Sequence, residues 1–424
     1  MSHVRSATQR LLACLRGCLA VRPACTGPGV AALLLACCCA GAAARPAELP
    51  RQGPPGGFAR VVVFGDSLSD NGAYTVAAVL RDGALAPYRL PYERGGQFSV
   101  NQAESPNWSD RLAGRLGLPL SPNLVGFRIG PWELFLTPER VMRSGDAATC
   151  AFDAPGADGL AHCTNHAQGG SRVQVPQGIG HDSGALTYPV SQQWQRHLRQ
   201  FGELRADDLV IVLAGNNDVF AAFAQSQAAA GRVLLAGLPA AQARGLEQAL
   251  PDVQAAADAL GALVRDMLGH GARYLLVGTL PDAALTPYGQ RVDGGESCDR
   301  EDPATRCHAL SSLVDGFNAR LRQELQRQPV LWLDLHGLFE QQTSRPQDFG
   351  LRNVRDPWCD PALPSSLLCH ASTPASAAGA DLANLDAWLF ADTIHPTPAG
   401  HQALADRAVA ELIAQGWVDA PAVR

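Results

Sequence analysis

The chain has 424 residues, of which 46% are hydrophobic and 17% are charged, so it is long enough to bury a large core. Its formal net charge of −6 disfavours general binding to nucleic acid, which requires a basic surface. Beyond residue 44, no segment is long and apolar enough to predict a membrane-spanning helix.

The first 44 residues differ in composition from the rest. They carry four arginines and no acidic residue, with an apolar run over 30–36 and small residues over 40–44. This order is typical of a secretory signal peptide cleaved after Ala44. Leu34-Leu35-Ala36-Cys37 also resembles a lipobox, which would leave a lipid anchor on Cys37. We therefore expect a secreted or periplasmic protein, with an outer-membrane lipoprotein as the alternative.

Cysteine spacing agrees with export. Six cysteines lie at or before Cys39, and the other six form three sequence-close pairs in Gly-, Asp- or Pro-rich regions. In an oxidising compartment these pairs predict three local disulfides, namely Cys150–Cys163, Cys298–Cys307 and Cys359–Cys369. Zinc binding is the competing interpretation, but the spacings differ from C-x-x-C pairs and few histidines lie nearby.

Apolar strands alternate with helical segments along most of the chain. After an extended Pro- and Gly-rich leader at 45–59, strands are predicted at 60–65, 208–214, 272–278 and 329–335. Helices are predicted at 109–116, 238–270, 304–328 and 398–415, the second of them with a break at Pro251 as an option. The alternation predicts one α/β domain over 60–424, built on a parallel sheet with helices on both faces. Residues 121–160 show weak periodicity and are interpreted as a surface insertion.

Ser67 follows the first predicted strand, in Phe64-Gly65-Asp66-Ser67-Leu68. A serine at a strand-to-helix junction is either a helix N-cap or a nucleophile whose own N–H stays free. Ser67, Asn217 and Pro281 all follow predicted strand ends, so we expect them at one edge of the sheet, where ligands bind.

Asp392-Thr393-Ile394-His395 could complete a hydrolytic site. An imidazole is the usual base for a hydrolytic serine, and a carboxylate three residues earlier can fix its tautomer. The alternative is a Pro-flanked loop with a solvated histidine.

Two further stretches could supply hydrogen-bond donors to an oxyanion. Gly170, in Asn165–Ser171, could present a backbone N–H, and Gly215-Asn216-Asn217-Asp218 could present a side-chain amide. The alternatives are an ordinary Gly-Gly turn and an Asn-Asp helix cap.

Taken in order, the blocks Gly-Asp-Ser-Leu, Asn-x-Ala-x-Gly-Gly, Gly-x-Asn-Asp and Asp-x-x-His-Pro resemble the GDSL, or SGNH, hydrolase family. The resemblance covers residues 60–415 and is closest to a secreted bacterial branch of lecithinase, haemolysin and esterase proteins. Segments that support this branch are 97–99, 278–287, 353–357 and 388–392. The resemblance implies a flavodoxin-like three-layer α/β/α sandwich with a central parallel sheet.

The resemblance also implies a role for five residues. Ser67 would be the nucleophile and its N–H one oxyanion donor, His395 the base, and Asp392 the partner of that base. Gly170 would supply a second donor through its N–H and Asn217 a third through its amide. Neither a metal nor an organic cofactor is implied.

The predicted function is that of a serine ester hydrolase, a monomer acting on a small-molecule or lipid ester. A phospholipase A, a lysophospholipase or a lipid acyltransferase is the alternative within the same chemistry. A non-catalytic surface-binding protein on the same fold is the alternative from another class.

Overall fold

The computed structural model describes residues 48–75, 96–102, 106–136, 141–142, 161–232, 237–295, 297–363, 365–370 and 380–419. The predicted signal peptide, the lipobox cysteine Cys37 and Cys150 lie outside the described residues. Within the described parts of the chain, every helix falls short of the length and apolarity that a membrane crossing requires.

Nine strands and eight α-helices of the described chain are used below. The strands are β1 (Arg60–Gly65), β2 (Gly126–Ile129), β3 (Trp132–Leu136), β4 (Val141–Met142), β5 (Asp208–Leu213), β6 (Tyr274–Gly278), β7 (Leu331–Leu333), β8 (Asn353–Pro357) and β9 (Trp388–Phe390). The helices are α1 (Trp108–Arg115), α2 (Val190–Phe201), α3 (Asn216–Gly231), α4 (Leu238–Gly269), α5 (Pro287–Arg291), α6 (Arg306–Leu325), α7 (Leu335–Ser344) and α8 (Pro398–Ala414).

The central sheet is parallel and has the strand order β1-β5-β6-β7. Side chains of successive residues in these strands enter opposite cores, because strand side chains alternate between the two faces. Val62 and Phe64 of β1 join the core that contains α2, α3, α4 and α6. Val61 and Val63 join the core that contains α1, α7 and α8. The fold is therefore the predicted three-layer α/β/α sandwich.

Helix α4 has the extent predicted from the sequence, without the break that Pro251 made an option. It runs unbroken from Leu238 to Gly269 with Pro251 inside it, although a proline lacks the N–H that the helix interior uses. Ala249 and Val253 are fully buried on either side of the proline. Tertiary packing therefore keeps the helix continuous where local propensity favours a break.

The region interpreted as a surface insertion contains a small antiparallel sheet. Strands β2 and β3 form a hairpin in which Ile129 pairs with Trp132 across the two-residue loop Gly130-Pro131, and β4 pairs with β3. Phe127 and Arg128 of this hairpin line the cleft that is described in the next section. The insertion thus contributes to the wall of the cleft.

Disulfides join Cys298 to Cys307 and Cys359 to Cys369, with Cα–Cα distances of 5.8 and 6.0 Å. These are two of the three pairs expected from cysteine spacing. Cys163 is also disulfide-bonded and fully buried.

Candidate active site

Ser67 lies in the turn that directly follows β1, at the carboxyl edge of the parallel sheet. The chain is tightly packed here, because a Cβ on Gly65 would lie only 2.3 Å from the carbonyl oxygen of Leu213. The Oγ of Ser67 lies 2.8 Å from Nε2 of His395, from which it is separated by 328 residues in sequence. The fold therefore brings the two ends of the domain together at this hydroxyl.

The loop that follows β9 orients His395. Asp392 accepts the backbone N–H of Ile394 at 2.8 Å and that of His395 at 2.7 Å, which closes a tight turn around its carboxylate. The same carboxylate lies 2.8 Å from Nδ1 of His395 through its other oxygen. The backbone N–H of Ser366 donates to that oxygen at 3.2 Å. Asp392 is thus held from two segments and holds the imidazole in turn.

The electrostatics of this pair suit a general base. Burial alone would lower the pKa of His395, but the negative charge and hydrogen bond of Asp392 outweigh it and raise that pKa above 6.5. Burial alone would raise the pKa of Asp392, but the facing imidazole and the donated hydrogen bonds hold it well below 3.8. Asp392 is therefore ionised at neutral pH and stabilises the charged form of His395.

Gly170 lines the same cleft as Ser67, at a loop position that accepts only glycine. Its φ is +78°, and a Cβ would lie 1.9 Å from the carbonyl oxygen of Ile179. Asn165 connects this loop to the nucleophile turn, since its Nδ2 donates to the carbonyl of Ser69 at 2.8 Å. Its Oδ1 accepts the N–H of Ala167 at 3.0 Å. The asparagine of the block thus holds the loop in position.

Asn217 lies in the first turn of α3, directly after β5, and is buried. Its Nδ2 donates to the carbonyl of Ser171 at 2.8 Å. A primary amide carries two N–H donors, so one of them fixes the side chain and the other remains for a ligand. The neighbouring Asn216 contacts a different partner, Oδ2 of Asp66, at 3.4 Å.

Two residues that line the same cleft have backbone N–H groups that are unpaired in the described structure. Within the part of the chain that the structure describes, the N–H groups of Ser67 and Gly170 have no hydrogen-bond partner. Both residues line the cleft, as do Asn217, Asp392 and His395. The residues around this one cavity therefore carry a hydroxyl, an imidazole and three N–H groups that could act as donors.

The cleft is large and mostly apolar. Its volume is about 1120 Å³, slightly above the roughly 300–1,000 Å³ of typical small-molecule sites. The apolar side chains that line it include Leu68, Phe98, Phe127, Ile179, Phe220, Phe339, Leu363, Leu367 and Ile394. The ring of Phe98 lies 4.9 Å from that of His395, measured between centroids. Sequence reasoning noted Gln97-Phe98-Ser99 only as a family segment, and no local pattern marks Phe98 as a neighbour of the imidazole.

One cluster has the composition of a metal site. Ligand atoms of Asp282, His336 and Glu340 lie within 4.8 Å of one another. Arg300 already bridges the two carboxylates, at 2.7 Å from Asp282 and 2.5 Å from Glu340. Asp282 also accepts hydrogen bonds from Ser311 and from a backbone N–H. A single guanidinium thus already pairs with both carboxylates that a cation would bind, and the cluster is an ion-pair network.

Comparison with known proteins agrees with this geometry. A family model described as GDSL-like lipase/acylhydrolase matches residues 61–408. The chain belongs to this family, whose fold is the three-layer sandwich described above.

Relatives with curated descriptions are distant. The thermolabile hemolysin of Vibrio parahaemolyticus is 29% identical over 169 residues, which are 37% of this chain and 36% of the relative. An uncharacterized protein in the trpE-trpG intergenic region of Pseudomonas putida is 25% identical over 365 residues, 85% of this chain and 49% of the relative. The anther-specific proline-rich protein APG of Brassica napus is 24% identical over 147 residues, 34% of this chain and 31% of the relative. The chain thus spans between about a third and a half of these relatives.

Among solved structures, an alpha/beta hydrolase enzyme from the metagenome of Lake Arreo, Spain, aligns with a TM-score of 0.37 and 14% identity. The alignment covers 85% of this chain and 96% of that enzyme.

Proposed function

We propose that this protein is a serine ester hydrolase that cleaves acyl esters through an acyl-enzyme on Ser67. The observation that carries the proposal is the chain of hydrogen bonds from Asp392 through His395 to Ser67. All three residues line one mostly apolar cleft. A serine hydroxyl is a weak nucleophile until a base takes its proton, and His395 has both the position and the pKa for that task.

The reaction has two symmetrical halves. Ser67 Oγ attacks the ester carbonyl carbon while its proton passes to Nε2 of His395, and the carbonyl oxygen becomes an oxyanion. His395 then gives the proton to the leaving alkoxide, the C–O bond breaks, and the acyl group remains on Ser67. Water repeats these steps and releases the carboxylic acid.

The oxyanion would be held by the N–H groups of Ser67 and Gly170 and by the amide of Asn217. These donors are fixed before the substrate arrives, because glycine-specific packing holds Gly170 and a hydrogen bond to the carbonyl of Ser171 holds Asn217. Donors that are fixed in advance stabilise the tetrahedral state without reorganising during the reaction. This stabilisation raises kcat, because it is greater in the transition state than in the ground state.

The direct experiment combines a substrate panel with a serine probe. Purified protein is assayed on p-nitrophenyl esters of increasing acyl length, and labelling by a fluorophosphonate is located by peptide mass spectrometry. We expect turnover that improves with acyl length, because the cleft is lined by apolar side chains, and labelling at Ser67. Ser67→Ala should lose both signals and keep the circular dichroism spectrum of the parent. A folded parent that neither turns over esters nor takes the label would support the non-catalytic alternative.

A phospholipid substrate is the second candidate, and Arg128 favours it. Arg128 lines the cleft, where its guanidinium contacts Nε2 of His181 and donates to the carbonyl of the same residue at 3.3 Å. No carboxylate pairs with it among the described residues. A guanidinium that faces a cleft without a carboxylate can bind a phosphate oxygen. Arg128→Gln should therefore lower kcat/KM on phosphatidylcholine more than on an uncharged ester of the same acyl length. Equal losses on both substrates would remove the argument for a phospholipid.

We also propose that residues 1–44 are a signal peptide, that 45–59 form a leader and that 60–424 form the hydrolase domain. The composition of residues 1–44 and the disulfides at Cys298–Cys307 and Cys359–Cys369 support export to an oxidising compartment. Mass spectrometry of the mature N-terminus decides between two products. Cleavage after Ala44 starts the chain at Arg45, whereas lipobox processing leaves a lipidated Cys37.

A further inference from the structure

Gly169 is held at both ends of its backbone by side chains that lie outside the Ser67–His395–Asp392 set. Its N–H donates to Oδ2 of Asp70 at 2.8 Å, and its carbonyl accepts the hydroxyl of Tyr74 at 3.0 Å. A Cβ on Gly169 would lie 2.2 Å from ring carbons of Phe98, so the backbone also packs directly against that ring. This residue is therefore fixed more firmly than an ordinary Gly-Gly turn.

The direction of the tyrosine hydrogen bond follows from its partners. The backbone N–H of Thr187 donates to the Tyr74 oxygen at 3.2 Å, and the carbonyl of Gly169 has no proton to give. The phenolic proton must therefore point at Gly169. Burial, helped by the charge of Asp70, raises the pKa of Tyr74 well above its ordinary value of 10.0, so the phenol keeps that proton at working pH.

The Thr187 contact is maintained against local strain. Thr187 has φ +51°, and it is the non-glycine residue with positive φ in the described chain. This region is unfavourable for a β-branched side chain, and such strain persists only where surrounding contacts over-determine the backbone. The Oγ1 of Thr187 donates to the carbonyl of Pro176 at 3.2 Å and accepts the N–H of Gly178 at 3.3 Å. These bonds hold its N–H toward Tyr74.

The carbonyl of Gly169 and the N–H of Gly170 belong to one peptide unit. A trans peptide is planar, so its C=O and N–H point in opposite directions, and fixing one fixes the other. We propose that Tyr74 is a positioning residue for the oxyanion hole: by holding the Gly169 carbonyl, its hydroxyl aims the Gly170 N–H into the cleft. This inference rests on the proposed function, because it assigns the Gly170 N–H to an oxyanion.

Tyr74→Phe tests the proposal, because it removes the hydroxyl and keeps the ring beside Phe98. The peptide between Gly169 and Gly170 can then rotate, and kcat on a p-nitrophenyl ester should fall about 10- to 100-fold. This loss is no larger than the roughly 10²–10³-fold fall in kcat expected when an oxyanion donor is removed altogether. KM should change little, because the ground-state ester does not use the hole fully. Tyr274→Phe is the matched control. Tyr274 is a buried tyrosine on β6 whose ring packs on Phe58 and Trp417.

A second readout separates positioning from a general loss of stability. The same preparations are assayed on an ester and on the matching thionoester, whose sulfur is a larger and weaker hydrogen-bond acceptor. Well-aligned oxyanion donors favour the ester over the thionoester. Tyr74→Phe should therefore reduce the ratio of kcat/KM for the ester to kcat/KM for the thionoester at least several-fold. The ratio does not depend on the folded fraction, because both rates come from the same active molecules. Asp70→Asn, which weakens the other end of Gly169, should shift the ratio in the same direction.

The outcomes are distinct. An active parent whose Tyr74→Phe and Asp70→Asn variants keep the parental kcat and oxygen-to-sulfur ratio would overturn the role of Tyr74. An inactive parent would instead overturn the proposed function.

Discussion

The Nδ1 atom of His395 lies 2.8 Å from one carboxylate oxygen of Asp392, and the other oxygen accepts backbone N–H groups of the same short turn. The carboxylate therefore does two tasks within four consecutive residues. It shapes the turn, and it raises the pKa of the imidazole despite the burial that opposes this change. Both tasks can be separated by experiment, because only the second depends on charge.

Asp392→Asn should lower kcat by about 10³–10⁴-fold, since the imidazole loses its orientation and the stabilisation of its charged form. The pH profile shows in which direction the pKa of His395 changes in the variant. Activity requires neutral His395, so kcat/KM should fall as pH decreases through the pKa of His395, which in the parent lies above 6.5. In the variant the largest charge that raises the pKa of His395 is gone, while burial and the weaker effect of Asp66 remain. The residual activity should therefore have its acid midpoint at lower pH.

Asp360→Asn provides the control for charge in general. Asp360 also lines the cleft, and among the described residues its carboxylate accepts only the local N–H of Ala362. Initial rates over about pH 4–9 measure both midpoints, a window that covers the imidazole range. An acid midpoint that does not move in Asp392→Asn would exclude His395 as the group that limits the rate at low pH.

Asn217→Ala should lower kcat by about 10²–10³-fold, the cost of one oxyanion donor. The adjacent Asn216 offers a matched control, since both asparagines lie in the first turn of α3 and both line the cleft. Asn216 contacts Asp66 at 3.4 Å and makes no bond to the loop of Gly170, so Asn216→Ala should cost less than about tenfold. Steady-state kinetics of both variants make the comparison, and similar losses would show that the amide of Asn217 has no special role.

Much of this site could be predicted because it follows from how parallel sheets are built. Ser67 and Asn217 follow β1 and β5, which are neighbours in the sheet, so their carboxyl ends must meet at one edge. The strong apolar runs predicted β1, β5 and β6 closely, and amphipathic patterns predicted α6 and α8. At β7 the predicted strand was too long at its carboxyl end, because Asp334 caps α7 and the helix begins at Leu335.

Other contacts in the site join segments that are far apart in the chain, and no sequence pattern predicts that these segments meet. Tyr74 meets Gly169 from 95 residues away, and Ser366 reaches Asp392 from 26 residues away, in both cases through a backbone group. Every residue has a backbone carbonyl and nearly every residue has an N–H, so the residue type does not show which of these groups makes a contact. The partner of such a group therefore cannot be inferred from a motif. The sequence left open whether α4 breaks at Pro251 for a related reason, since tertiary packing decides the outcome.

The buried ion pair of Arg60 and Asp208 should dominate the stability of the sheet edge. Arg60 donates to both oxygens of Asp208, at 3.0 and 2.6 Å, and their side chains are 7% and 0% exposed. Asp208→Ala leaves the guanidinium buried without its partner, so the free energy of unfolding should fall by about 3–5 kcal/mol. Glu247→Ala breaks an exposed pair with Arg244 and should cost about 1 kcal/mol or less.

Urea denaturation measures both losses. Replacing the buried pair together, as Arg60→Met with Asp208→Leu, should recover most of the stability, because no unpaired charge remains. A double variant as unstable as Asp208→Ala would contradict the electrostatic explanation and favour one based on packing.

The two disulfides should differ in their effect on catalysis although they resemble each other in chain length. Their cysteines are separated by 9 and 10 residues, so removing either disulfide should lower the free energy of unfolding by a similar amount, about 2–3 kcal/mol by the loop-entropy model.

The loop closed by Cys359–Cys369 contains Ser366, whose N–H donates to Asp392, and this loop forms one wall of the cleft. The loop closed by Cys298–Cys307 leads into α6 and makes no contact with Asp392 in the described structure. Cys359→Ser with Cys369→Ser should therefore lower kcat about tenfold, which corresponds to the loss of one hydrogen bond to a charged group. Cys298→Ser with Cys307→Ser should leave kcat near that of the parent. Kinetics at about 20 °C, together with urea denaturation of each variant, make the test, because the temperature lies well below typical unfolding midpoints. Equal changes in kcat for the two variants would mean that the disulfides act only through global stability and that the N–H of Ser366 does not orient Asp392.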